Sequence, residues 1–239
     1  MKIKADNPAG RLYDILSKAK AQPQDNALGK VLSVALNASN SVDFHSRLAY
    51  LEGLVTEVRQ AVENSEGINK ELYLSHYSQI EKLVNARNYD MPWNNVSNLL
   101  NEPALINIAH IAEILPSTYR ENLIEDDVLN DLISTIEELI KKVKEGNLII
   151  ELQRIIIDQL YLTLNSIYAY KIRGARGLRE SLSNSFGEFI LNYKLFEGAK
   201  DSEEVKEYKT ILTKIHTVVT GAFTYYQITQ EGIKLLLGG

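Results

Sequence analysis

The chain has 239 residues, 45% of them hydrophobic and 24% charged, with a net charge of -5. That length suits one large domain or two small ones, and that balance suits an ordinary globular protein. There is no cysteine, which excludes disulfides, thiolate metal sites and cysteine nucleophiles; the acidity argues against a coat for nucleic acid but leaves room for a local basic patch.

The opening "MKIKADNPAG" lacks the apolar run of a signal peptide. Asn7 before Pro8 reads as an N-cap and first helical residue, opening a helix to about Ala21 that Pro23 ends. Asp25 is the expected cap of a short second helix through Leu36, and Ser41 of a long third. Phe44, Leu48, Leu51, Val55, Val58 and Val62 then recur at four and three, which makes one apolar seam. Tyr73, Tyr77, Ile80 and Val84 repeat the spacing on a fourth helix, and the short connection predicts an antiparallel hairpin with the third. "RNYDMPWNN", with the single tryptophan Trp93, reads as a loop, followed by short helices near Val96–Asn101 and Ala104–Leu115.

From Glu121 to Glu145 acids lead and lysines trail, as the helix dipole favours, and Gly146 is the expected stop. The helix from about Asn147 to Ile172 is apolar nearly all round. Only Asn147, Glu151, Arg154, Asp158 and Asn165 form a polar stripe, so the helix is expected to be covered on most sides. Glu151, Arg154 and Asp158 argue against its crossing a membrane. Further helices are expected over Leu178–Phe196 and from Asp201–Ser202 onward. The last carries Val205, Tyr208, Leu212, Ile215, Val219, Ala222 and Tyr226 at three and four, a seam for another helix within the chain or across a dimer. The reading is all-α: a bundle of eight to ten helices, with long antiparallel helices in the C-terminal half. An N-terminal helical region, 1–120, precedes a long-helix bundle, 121–239, and the two share one core in the alternative reading.

Chemistry is sparsely signalled. His45, His76, His110 and His216 lie apart, without metal-ligand spacing, and neither a Walker loop, a GxSxG elbow nor an RxxxxH pair occurs. Glu125, Asp126 and Asp127 suit a helix start better than a metal, because adjacent helical residues diverge by about 100°. No cofactor or metal is expected, and the balance leans away from an enzyme.

The stretch "YKIRGARGLRES" offers the sharpest question. Gly174 suits the left-handed residue that ends a helix, with Arg173 in the last turn, and Gly177 suits a close approach as the next helix begins. Arg173, Gly174, Arg176, Gly177 and Arg179 also make a candidate anion site at a helix start. Both readings stand at this point. Tyrosine outnumbers phenylalanine by 13 to 5, and Tyr208, Tyr225 and Tyr226 are candidates for a partner-binding face.

The stretches "NPAGRLYDILSKAK" and "YKIRGARGLRESL" resemble matching stretches in a group of uncharacterised bacterial all-helical proteins. The resemblance implies bacterial origin and no particular activity. With the long seams and the tyrosines, it frames the expectation: a non-enzymatic interaction or regulatory protein of the bacterial cytoplasm, of a phage-defence or toxin–antitoxin-like kind. Its partner is expected to be a second copy or another protein rather than nucleic acid or a membrane. The alternative is an effector module that binds a nucleotide or RNA phosphate at the arginine–glycine corner.

Overall fold

The computed structural model describes residues 3–220. Among them every regular element is helical: twelve α-helices joined by loops and three 3-10 turns. Nine of the twelve have eight residues or more, and the all-α expectation holds. No described helix is long and apolar enough to cross a membrane. The chain divides into two compact units. One takes the chain through Glu121 and again at Lys171–Gly174; the other takes Asn122–Tyr170 and the chain from Ala175 on.

The first unit holds α1 (Pro8–Lys20), α2 (Leu28–Ala35), α3 (Ser41–Asn64), α4 (Lys70–Leu74), α5 (Tyr77–Val84) and α6 (Glu102–Ile114). Helix α1 begins as its sequence predicts, with the Asn7 side chain accepting from the Gly10 N–H at 3.0 Å. The same side chain donates to the Ala112 carbonyl at 2.8 Å, which ties the start of α1 to α6. Gly10 has a separate role: a Cβ there would run into the Lys4 carbonyl, so the incoming chain passes against bare backbone. The seam of α3 is buried from Phe44 to Val62. It shares one core with Leu12, Leu16, Tyr77, Trp93, Ile108 and, from far along the chain, Ile172.

Three local expectations need correction. Helix α2 starts at Ala27 without a side-chain cap. Its first free N–H groups, on Leu28 and Gly29, instead donate to the carbonyls of Met91 and Tyr89 at 2.9 and 2.8 Å, so a distant loop does what Asp25 was expected to do. Helix α3 is capped by Asn40, which accepts from the Asp43 N–H, rather than by Ser41. The single fourth helix is two, α4 and α5. At the break both the backbone N–H and the hydroxyl of Ser75 turn back onto the Leu72 carbonyl, closing the turn early.

The second unit holds α7 (Asp126–Glu145), α8 (Ile150–Tyr168), α10 (Ala175–Leu191), α11 (Tyr193–Gly198) and α12 (Glu203–Thr220); the one-turn α9 (Tyr170–Arg173) leads from α8 to the corner. Helix α7 packs on α8, α8 on α10, α10 on α12, and α12 back on α7. Leu132, Ile136, Leu152, Ile156, Leu178, Tyr208 and Ile215 fill the centre. Gly146 caps α7 in an extended conformation, φ -80°, so it stops the helix without the left-handed turn. Ser202 accepts from the Val205 N–H and opens α12.

Candidate functional site

Three regions carry the candidate residues. The first is the corner at Gly174, in the first unit. Arg11 lies on the inner face of α1 between Gly10 and Leu12, with only 3% of its side chain exposed. Its Nε donates to the Ile172 carbonyl and its Nη1 to Glu121 Oε2, both at 3.1 Å, while Nη2 stands 3.8 Å from Glu57 Oε1. Gly174, at φ +58°, closes the turn beside them. A Cβ on it would stand 2.7 Å from Arg11 Cζ and closer still to Nη1 and to Glu121 Oε2. The bare Cα is therefore what admits the guanidinium. Arg173 lays its own guanidinium over the Tyr50 ring, 4.8 Å from the centroid, a cation–π contact.

This geometry joins the two stretches that carry the resemblance: Arg11 of "NPAGRL" is clasped by Ile172 and fitted against Gly174 of "YKIRG". It accounts for Ile172 packing with the first unit although the chain up to Tyr170 and again from Ala175 belongs to the second. One buried guanidinium faces two carboxylates and a carbonyl; Glu121 and the Ile172 carbonyl take its hydrogen bonds and orient it, while its buried Nη2 has no hydrogen-bond partner. Arg11 did not figure among the candidates, yet a charged residue set between apolar neighbours on the buried side of α1 is a readable signal.

The second region is the start of α10. Arg176 and Arg179 are exposed and one turn apart, and Gly177 is buried between them. Arg176 Nε donates to Glu180 Oε1 at 3.0 Å, an i,i+4 pair on the helix surface. Of the tyrosines expected at a partner face, Tyr208 is 1% exposed and stacks on Phe196 with centroids 6.0 Å apart. Its place in the core leaves it no surface for a partner, and burial pushes its hydroxyl up to about 12. Val205, Leu212, Ile215 and Val219 are buried with it. Over its described length the α12 seam thus packs within the chain, against α7 and α10. Tyr225 and Tyr226 lie outside the described residues, as does Ala222 of the same seam.

The third region is the outer face of α8. The helix is buried or half-buried on most sides, as expected, but the face left open is wider than the polar stripe. Glu151, Arg154, Asp158, Tyr161, Asn165 and Tyr168 are all exposed, at alternating spacings of three and four. Ile150 is 83% exposed, Tyr161 45%, Leu162 43% and Tyr168 42%. The polar stripe legible in the sequence is the middle of this face, and Ile150 and Leu162 flank it. The Tyr161 hydroxyl accepts from Lys144 Nζ at 3.2 Å, and the Tyr168 hydroxyl donates to Glu137 Oε1 at 3.3 Å, so α7 orients both rings.

Comparison with models of protein families, with curated proteins and with solved structures finds no match.

The remaining candidates stay apart. His45 and His110 are exposed on α3 and α6, His76 is half-buried ahead of α5, and His216 is half-buried on α12. Among the described residues no group of three or more histidines and acids is placed to hold a metal ion. Asp126 and Asp127 occupy the first turn of α7 with Lys142 and Lys144 in its last, the dipole arrangement read from the sequence.

Proposed function

We propose that this chain acts by binding protein, as a non-enzymatic interaction or regulatory protein, and that the outer face of α8 is where it binds. One observation carries the reading. A row of exposed residues, with Tyr161, Leu162 and Tyr168 in or beside it, runs along a helix whose opposite side is locked into a core. Tyrosines held by neighbours are good contact residues, because they offer a large rigid surface with little rotamer freedom left to lose. The resemblance of the two short stretches suggests a bacterial origin and no activity; the cytoplasmic setting and the toxin–antitoxin or phage-defence kind of role are part of the proposal.

The test is site-specific photo-crosslinking in living cells. A photoreactive side chain at Leu162 is expected to trap a protein, and one at exposed Val42 of α3 to trap none. Tyr161→Ala is expected to abolish the adduct at 162 without lowering the melting temperature. If position 162 yields no adduct beyond what position 42 yields, the reading is wrong.

The second reading, a phosphate-binding effector, draws support from Arg176 and Arg179 standing exposed on successive turns at the start of α10. An anion there has to displace Glu180 from Arg176.

A further inference from the structure

The exposed row on α8 has a symmetry that its composition hides. Glu151, Arg154, Asp158 and Tyr161 are spaced three, four and three. Reversed, the spacing is the same. Two such helices running antiparallel about a two-fold axis at the level of Ile156 stack residues in layers whose numbers sum to a constant. Arg154 then shares a layer with Asp158 of the other copy, and Glu151 with Tyr161 of the other copy, each twice. Opposite charges meet at the centre, and a carboxylate meets a phenolic hydroxyl on either side. An isologous interface demands this self-complementarity, and alternating steps of three and four are what helices packed side by side present to each other.

We propose that α8 pairs with α8 of a second copy, antiparallel, with Arg154–Asp158 as the central contact. The proposal rests on the protein-binding reading above and names its partner. Arg154 and Asp158 suit the role because each is exposed, and among the described residues neither holds an ion pair within the chain. They stand four apart with the cation first, the less favourable order for pairing on one helix. Tyr161 also fits: its hydroxyl accepts from Lys144 and keeps a proton to donate to Glu151 of the other copy.

Other registers match less well. Moving the axis half a heptad toward the helix end, which slides the partner one heptad, puts Asp158 opposite Tyr161 and Arg154 opposite Asn165, so no charge is paired. Moving it the other way pairs Glu151 with Arg154 but sets Asp158 opposite residue 147, before α8 begins. A parallel pairing in register sets Arg154 against Arg154. The charges therefore select one arrangement, as such contacts do when they fix register more than strength.

Sedimentation velocity across micromolar to submillimolar concentrations tests this on the full chain. The parent is expected to show a monomer–dimer equilibrium. Arg154→Asp alone sets two aspartates in each central layer, and Asp158→Arg alone sets two arginines. Each variant is expected to weaken dimerisation at least tenfold while its circular dichroism and melting temperature match the parent. Mixed one to one, the two variants are expected to associate with each other, because every central layer then holds one cation and one anion. The double variant R154D/D158R is expected to dimerise like the parent. A parent that stays monomeric throughout overturns the proposal; so do single variants that dimerise like the parent, or a mixture that stays monomeric. A heterologous protein trapped at position 162 beside a monomeric parent would sink the second-copy assignment and keep the protein-binding reading. Absence of any adduct would sink both.

Discussion

Replacing Gly174 by alanine should nearly unfold the first unit, although the change adds one methyl group. Two effects sum. An alanine held at φ +58° costs about 1–2 kcal/mol relative to glycine. The new Cβ also takes space that Arg11 Nη1, Arg11 Cζ and Glu121 Oε2 occupy. Relief requires the guanidinium to withdraw from Glu121 and the Ile172 carbonyl, and breaking a buried ion pair costs about 3–5 kcal/mol. The total, about 4–7 kcal/mol, approaches the whole stability of a small domain, about 5–15 kcal/mol. Trp93 is the single tryptophan, is fully buried, and lies in this unit's core, so its fluorescence in urea reports this unit. A double-mutant cycle separates the two effects. In an Arg11→Ala background nothing remains to be displaced and Glu121 is free to swing away, so Gly174→Ala should add only about 1–2 kcal/mol. A Gly174→Ala protein within about 0.5 kcal/mol of the parent, or two substitutions whose costs simply add, would refute the account of the corner.

Gly53, in the middle of α3, has nothing within 4 Å of where a Cβ would sit, so Gly53→Ala should raise stability by about 1 kcal/mol in the same urea titration. Partial burial pushes the Asp43 carboxyl up, but the Ser39 N–H and the Arg47 guanidinium outweigh it and hold the group below its ordinary value. Asp43 therefore stabilises the fold above its unfolded pKa of about 4, and that contribution fades as pH falls through the lower folded value. The stability gap between parent and Asp43→Asn should be full at neutral pH and shrink as the pH falls below about 4; a gap that does not change on acidification would count against the contact. In thermal-shift measurements with phosphate, nucleotides and short RNA, the parent and the Arg176→Ala, Arg179→Ala double variant should behave alike. A ligand shift in the parent that the double variant loses would replace the protein-binding reading with the anion-binding one.

What the sequence discloses here is whatever depends on near neighbours. Asn7 and Pro8 announce α1, the three-and-four spacing from Phe44 to Val62 announces α3, and the acids and lysines of α7 announce its ends. Gly174 was readable as a helix stop, because only the local turn matters for that. The object that needs the bare Cα, Arg11, sits on a helix at the other end of the chain, and no local pattern pairs the two. Ala27 opens α2 for the same reason: its cap is a loop beyond the reach of any local signal. The amphipathic row of α12 told that Tyr208 faces a helix, and only packing decided that the helix belongs to the same chain. On α8 the polar stripe was visible. Its width was not, since Tyr161, Leu162 and Tyr168 look like core residues until the neighbours that leave them bare are known.

The four residues Lys171–Gly174 bear on how this protein can be inherited. Each unit has its own core, yet the first is finished by a segment encoded within the second. A cut after Glu121 would release a fragment whose Arg11 has lost the Ile172 carbonyl and whose core has lost the Ile172 side chain. The first unit therefore cannot be moved into another gene by a cut after Glu121; the stretch that completes it, and the helices on either side of that stretch, must travel with it.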